Sequence, residues 1–175
     1  MDYFAYGKLV LGVSPYFSRE DVADISVVGV RALGVVELEK ELTGETSALR
    51  ALSALSDSRG GTVIAGFLSE AGVSAAVAHK GRLYDVSDCG FGKTDRLKVF
   101  KHGKARMALL VDSDALSAAV WEKLRGWCDF VVNIALRVDD DFADRVRSLA
   151  AAAELPVLCT DGDNTVSTLP SGSPV

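Results

Sequence analysis

The sequence has few residues of the types that build disulfide frameworks or membrane spans. It contains three cysteines, Cys89, Cys128 and Cys159, at wide and irregular spacing. An odd number of scattered cysteines does not suit a disulfide-stapled domain, so we expect reduced thiols in a cytoplasmic protein. No apolar run approaches the length that crosses a bilayer. The first ten residues, MDYFAYGKLV, lack the basic and apolar regions of a signal peptide, so we expect no secretion signal and no membrane partner.

Positive charge is also scarce, because 19 lysines and arginines face 24 aspartates and glutamates, for a net charge of −5. A nucleic-acid-binding face needs a basic excess, so we expect no nucleic-acid partner. Residues 8–160 contain no repeat and no Pro- or Ser-rich linker. The 175 residues therefore predict a single domain, 1–175, with a loop-like tail from about residue 163. No motif in the chain implies a cofactor.

Residues 105–135 contain the clearest structural pattern in the chain. The apolar run 107–111 is typical of a buried strand, and three turn-forming residues, 112–114, interrupt it. Apolar residues then recur at helical spacing over 115–127, Gly126 is a plausible stop, and 130–135 is a second apolar run. Strand, helix and strand in this order predict a parallel βαβ unit. Asp112 then lies at the carboxyl end of a strand, where α/β proteins usually place their sites.

Further strands and helices are predicted on both sides of this unit. Glycine-containing turns at 79–81 and 101–104 predict two β-hairpins. The remaining predicted strands are 8–13, 25–30, 62–68 and 155–159, and the remaining predicted helices are 45–56 and about 139–153. The segment 33–42 is ambiguous between a loop and a short helix. The predicted fold class is α/β, a layered sandwich with a mixed, largely parallel sheet.

Four segments, in this order and spacing, resemble the carbon–nitrogen hydrolase (nitrilase/amidase) superfamily. They are GGTVIAGF (60–67), HKGRLYD (79–85), VFKHGKARMALLVDSD (99–114) and WCDFVVNIA (127–135). The resemblance covers roughly residues 8–162. It implies a truncated form of the nitrilase fold, because the first crossover helix is nearly absent and the family's last strands are missing.

The resemblance also implies a glutamate base, a lysine that stabilises the oxyanion, and a cysteine nucleophile. In this alignment Asp112 occupies the position of the cysteine, with Asp114 at the family's aspartate. The glutamate position falls within 29–31, which reads Gly-Val-Arg, and Glu37 and Glu39 come several residues later. Lys93 is the candidate for the lysine. The implied catalytic residues are therefore Asp112, Lys93 and Glu37, with Glu39 as the alternative to Glu37.

Asp112 has three interpretations: a displaced nucleophile, a metal ligand beside Asp114, or a turn and helix N-cap residue. Aspartate at a strand-to-helix junction is most often the last, and we favour that interpretation. The triplet 139–141 is similarly better explained as negative charge at a helix N-terminus than as a divalent-ion site. We therefore predict no metal.

Other chemistry-bearing residues have simpler explanations. The segment SDCGFGKT (87–94) lacks the first glycine of a phosphate-binding loop. Cys89 invites the idea of a relocated thiol, but it has no matching base in the sequence. Cys128 and Cys159 are expected in the core, and His79 and His102 are expected at hairpin turns.

The tryptophans suggest a partner surface. Trp127 falls on the apolar stripe of the predicted helix 115–127 and Trp121 lies beside that stripe, so Trp121 needs other cover or is exposed. We therefore expect a homo-oligomer, a homodimer through this helix.

Two functions follow from these observations. The favoured one is a degenerate homologue, a pseudoenzyme without thiol-based catalysis that acts as a binding or assembly protein, with a small-molecule ligand. The alternative is an active hydrolase of small amides, cleaving non-peptide carbon–nitrogen bonds at a rearranged site with Asp112 and Lys93.

Overall fold

Two β-sheets packed face to face, with helices on the outside, make up the structure. The computed structural model describes residues 1–18, 23–36, 48–70, 72–88 and 98–172. The first sheet has six strands in the order β1 to β6, and the second has five in the order β11-β10-β9-β8-β7. The strands are β1 Asp2–Tyr6, β2 Leu9–Ser14, β3 Ile25–Val28, β4 Thr62–Ser69, β5 Gly72–His79, β6 Arg82–Asp88, β7 Val99–His102, β8 Ala105–Val111, β9 Phe130–Ile134, β10 Val157–Thr160 and β11 Thr165–Ser167.

Parallel pairing occupies the middle of each sheet. Strands β2, β3 and β4 are parallel in the first sheet, and β8, β9 and β10 are parallel in the second. Antiparallel neighbours, including the two hairpins predicted around 79–81 and 101–104, flank the parallel strands in both sheets. The predicted βαβ unit is confirmed, because Met107 to Val111 pair in parallel register with Phe130 to Ile134.

Strand residues alternate between two apolar layers, as the twofold period of a strand requires. On β9, Phe130, Val132 and Ile134 pack between the sheets, whereas Val131 packs beneath the helices of the second sheet. A third layer lies between the first sheet and its helix. The result is a four-layer α/β sandwich, which confirms the predicted fold class.

Three α-helices cover the sheets in the described parts of the chain. They are α1 Ala48–Arg59, α2 Ala118–Leu124 and α3 Asp140–Ala153. Helix α1 packs Leu49 and Leu52 on the outer face of the first sheet. Helices α2 and α3 cover the second sheet. None of the helices in the described segments combines the length and apolar character needed to cross a membrane.

The predicted helix 115–127 is shorter in the structure, and the burial of its two tryptophans is the reverse of the prediction. Residues Asp112–Leu116 form a 3₁₀ helix, and Ser117, which has an extended backbone, begins α2 as its N-cap. Gly126, with φ +81°, follows the helix as predicted. Trp127 lies beyond the helix and is 62% exposed, whereas Trp121 is buried and donates from Nε1 to the carbonyl oxygen of Ala115 at 2.8 Å.

Both ends of the chain are more ordered than the sequence pattern predicts. Residues Asp2–Tyr6 form β1, a strand that the apolar pattern did not reveal. The tail from residue 163, expected to be a loop, contains β11, which pairs with β10. Ser171 also forms a β-bridge with Phe4. Strands β1 and β11 each pair with a strand adjacent in the sequence, whereas the bridge between Phe4 and Ser171 joins distant segments and no local pattern encodes it.

Candidate functional site

The carboxyl ends of the parallel strands of both sheets meet at one edge of the molecule. The contact there is direct: a methyl group at Gly29, just after β3, would lie 2.4 Å from the carbonyl oxygen of Asp161, just after β10. A methyl group at Gly66 on β4 would lie 2.6 Å from a methyl carbon of Ile134 at the end of β9. Only glycine permits this approach of the two sheets. The edge is the place where α/β folds usually bind ligands.

Asp112 lies at this edge, at the junction of β8 and the 3₁₀ helix, with a left-handed backbone (φ +50°). Its Oδ1 accepts a hydrogen bond from the backbone N–H of Leu136 at 3.1 Å. The side chain makes no cap, and Ser117 caps the following α-helix instead, accepting from Val120 N–H at 3.4 Å. Asp112 is therefore a turn residue, as favoured, but the expected N-cap role is wrong: its carboxylate ties β8 to the segment after β9.

Val30 lies within the segment where the resemblance places a glutamate. It is buried, with 6% exposure, in the apolar layer between the sheets. One of its methyl carbons would lie 2.9 Å from a methyl group built on Gly66. A carboxylate at this position would be largely buried beside apolar side chains.

Two buried cysteines lie in the described part of the chain, as expected for core residues. Burial raises the pKa of Cys159 to about 12. The hydrogen bond that its Sγ accepts from Asn133 Nδ2 at 3.2 Å lowers the pKa, but by less than burial raises it. Burial also raises the pKa of Cys128 to about 11, with the nearby Asp129 carboxylate adding to the rise. Because the thiolate is the reacting form, neither side chain is suited to nucleophilic attack near neutral pH.

Asn133 links Asp112 to this buried region. Its Nδ2 also lies 3.4 Å from the backbone oxygen of Asp112, and its side chain is fully buried. Among the described residues, its Oδ1 has no hydrogen-bond partner.

A cleft of about 600 Å³ opens beside Asp112 at the strand ends. Its apolar wall includes Val30, Leu68 and Leu136, and Leu136 is the residue whose N–H binds Asp112. Charged and polar residues complete the lining: Arg31, Arg137, Asp161, Asp163 and Asn164.

Asp161 organises one side of the cleft. Its carboxylate accepts from the backbone N–H groups of Val138 (2.8 Å), Asp163 (2.9 Å) and Asn164 (2.6 Å), and from Asn164 Nδ2 at 3.3 Å. Burial opposes ionisation, but these hydrogen bonds outweigh it and hold the pKa of the carboxyl below its ordinary value. Asp161 is therefore an ionised structural anchor for the loop 161–164.

Several predicted residues are not placed by the structure. Lys93, Glu37, Glu39 and Cys89 lie outside the described residues, so their relation to Asp112 stays a prediction. Asp139 is the N-cap of α3 and accepts from Phe142 N–H at 2.9 Å, which confirms the capping interpretation of 139–141. Within the described ranges, no group of three or more His, Cys, Asp and Glu side chains is arranged to hold a metal ion.

The cleft residues Arg31, Arg137, Asp161 and Asp163 were not predicted as a site. Each follows a strand end, and that shared position was the signal available in the sequence. A second cluster was also missed: His79 and His102 both approach Thr62 Oγ1 through Nδ1, at 2.7 and 3.2 Å. This cluster joins the two sheets at the amino end of β4, the end opposite the cleft.

No protein-family model matches the sequence, and no curated protein matches it. Solved structures do match. An amidase of the nitrilase superfamily from Nesterenkonia AN1 superposes with a TM-score of 0.59 at 14% identity, covering 79% of this chain and 63% of the amidase. A second structure is a mutant of the amidase from Nesterenkonia sp. AN1 that shows the result of Michael addition of acrylamide at the active site cysteine. It superposes with a TM-score of 0.62 at 15% identity, covering 86% of this chain and 74% of the amidase. This chain has the nitrilase fold.

The predicted resemblance is therefore confirmed at the level of the fold. A carbon–nitrogen hydrolase from Helicobacter pylori G27 superposes on the nitrilase fold of this chain with a TM-score of 0.55, at 14% identity and with 79% and 61% of the two chains covered. The chain spans 63% and 64% of the length of the first two amidase structures. The amidase modified by acrylamide has an active site cysteine, whereas the resemblance places Asp112 at the cysteine position in this chain.

Proposed function

We propose that this chain is a degenerate nitrilase-fold protein that lacks thiol-based catalysis and binds a small molecule in the cleft at its strand ends. The observation that carries the proposal is the chemistry at position 112. A carboxylate stands where the resemblance places a thiol, and it already accepts the N–H of Leu136. A carboxylate is a weak nucleophile towards an amide.

The position of the expected base supports the same proposal. The segment 29–31, Gly-Val-Arg, contains no carboxylate, and Val30 within it packs into the apolar layer between the sheets. The two described cysteines have raised pKa values, so neither replaces the missing thiolate. The cleft has apolar and polar walls of the kind that small-molecule sites have.

An active hydrolase of small amides, with Asp112 and Lys93 in the site, is the alternative. The left-handed turn at Asp112 favours it, because strained backbone at the end of a strand often accompanies function. Glu37 or Glu39 then supplies the base. This alternative predicts that activity depends on Asp112 and Lys93 together.

Ammonia release from butyramide distinguishes the two functions. We expect the purified protein to release none above the buffer rate, and mass spectrometry to find no acyl adduct on its cysteines. An Asp112→Cys variant treated with iodoacetamide serves as the control for reagent access to position 112. Ammonia release that Asp112→Asn and Lys93→Ala each abolish would establish the hydrolase instead.

Self-association remains part of the proposal, through the surface around 115–127. In the structure the exposed aromatic on this surface is Trp127, and Trp121 is internal. In a symmetric dimer that uses this surface, the Trp127 side chain of each copy would be covered by the other copy. An assembly role and a binding role are compatible, because the cleft lies at the carboxyl ends of the strands, whereas Trp127 precedes the amino end of β9.

A further inference from the structure

The cleft contains one arginine whose charge is not neutralised by a described neighbour. Arg31 pairs with Asp163 at 3.1 Å, and the Asp161 carboxylate is saturated by its N–H donors. Across the described segments, Arg137 has no ion-pair or hydrogen-bond partner, although it lines the cleft. The two arginines and the carboxylates of Asp161 and Asp163 balance in charge, and Arg137 is the lining guanidinium that no described side chain engages, beside an apolar wall.

We propose that the cleft binds a small carboxylic acid, with its carboxylate on Arg137 and its apolar part against Val30, Leu68 and Leu136. This inference rests on the proposed function, because it names the ligand of the same site. A guanidinium presents parallel N–H donors that match the two oxygens of a carboxylate. A neutral amide of the same shape offers only one acceptor oxygen and no charge.

The apolar wall adds the second half of the recognition. Val30 is buried and Leu136 is 53% exposed, so a ligand chain laid against Leu136 removes apolar surface from water. Gly34, which also lines the cleft, has open space within 4 Å of its Cβ position.

Hexanoate and hexanamide form a matched pair of probes, since they share the chain and differ in charge. We expect hexanoate to shift the backbone amide resonances of Leu136, Arg137 and Asn164 saturably in ¹⁵N-labelled protein, and hexanamide to bind about tenfold more weakly. Arg137→Gln should reduce hexanoate affinity by about tenfold. Arg145→Gln removes the same charge from the exposed face of α3, outside the cleft lining, and should leave the affinity unchanged.

Each failure of this titration has a separate meaning. Equal affinities for the two probes, or an unaffected Arg137→Gln variant, would overturn the carboxylate inference and leave the binding function intact. The absence of saturable shifts at 20 mM of either probe would also overturn the inference. Conversion of hexanamide to hexanoate in the same sample would overturn the non-catalytic function, whereas the titration with hexanoate alone still decides the inference.

Discussion

Asp112 combines an uncommon backbone conformation with a long-range hydrogen bond. Aspartate and asparagine tolerate the left-handed region better than other residues with a Cβ, because their short polar side chains bond locally. The same side chain here accepts the N–H of Leu136. Both properties depend on the shape of the side chain, and neither needs a negative charge.

Replacing Asp112 with alanine should therefore destabilise the protein by about 1–2 kcal/mol, because alanine loses the hydrogen bond and disfavours positive φ. Asp112→Asn keeps an acceptor oxygen and should change the free energy of unfolding by less than about 0.5 kcal/mol. Asp112→Gly tolerates the positive φ, so its loss of stability combines the missing hydrogen bond with the greater entropy of glycine in the unfolded chain. Urea unfolding measures all three variants, and equal stability of the alanine and asparagine variants would contradict this account.

Val30 provides the second test at the residue scale. Val30→Glu introduces a glutamate within the segment 29–31, where the resemblance expects one, but it places a carboxyl in the apolar layer between the sheets. We expect a loss of about 3 kcal/mol in unfolding free energy and no gain of amide hydrolysis. Val35→Glu is the matched control, because Val35 is 76% exposed and should tolerate the change. A stable Val30→Glu variant would show that the site has more room than the packing at Gly66 implies.

At the scale of elements, the sheets are joined at opposite ends by different chemistry. The cleft end relies on the contact of Gly29 with Asp161 and Gly162. The opposite end relies on hydrogen bonds of Thr62 on β4 with His79 on β5 and His102 on β7. The ring centroids of the two histidines are 5.7 Å apart. Protonation of both rings would place two positive charges at this junction.

Burial lowers the pKa of His79, and the charges of His102 and Lys80 lower it further. Arg82, paired with His79 in register, and Lys101 and Lys104 near His102 add to the positive surroundings. Because the folded pKa lies below the unfolded one, the unfolded chain binds more protons once the pH falls below about 6.5. This contribution to stability is thus present above that pH and is lost as the pH falls through the folded pKa.

Two-dimensional NMR titration of the imidazole resonances checks this prediction. His102→Gln removes one of the causes, so the pKa of His79 should rise towards its ordinary value, and the loss of stability between pH 7.5 and 5.5 should shrink. Lys101→Gln is a charge-matched comparison on the same strand and should have a smaller effect, since Lys101 is exposed. A His79 pKa at or above the unfolded value in the wild type would refute the assignment.

At the scale of the whole molecule, the exposed apolar surface bears on self-association. Trp127 is the largest of the exposed apolar side chains in the described segments, with 62% of its surface accessible. Sedimentation should show dimers at tens of micromolar, and Trp127→Glu should shift the protein to monomers because it places a charge in the proposed contact. Tyr84→Glu, at a 51% exposed aromatic on the other sheet, should leave the dimer intact. A wild type that remains monomeric at this concentration ends the proposal.

The sequence by itself determined the strands from β2 to β10, the two hairpins around 79–81 and 101–104, and the position of Asp112 at a strand end. These features depend on short apolar runs and on turn residues between them, such as Gly81 and the segment 112–114, so neighbours in the chain encode them. The N-cap at Asp139 is local in the same sense. The nitrilase fold was predictable because several such local signals occur in one order.

Only the tertiary structure decided which side chains meet. The exposure of Trp127 and the burial of Trp121 depend on where α2 begins and on how it packs, and a helical stripe alone misassigned both. Arg31 and Arg137 follow strands of different sheets, and His79 and His102 likewise belong to different sheets, so their proximity arises from packing of one sheet on the other. Contacts of this kind join residues far apart in the chain, and no period or spacing in the sequence records them.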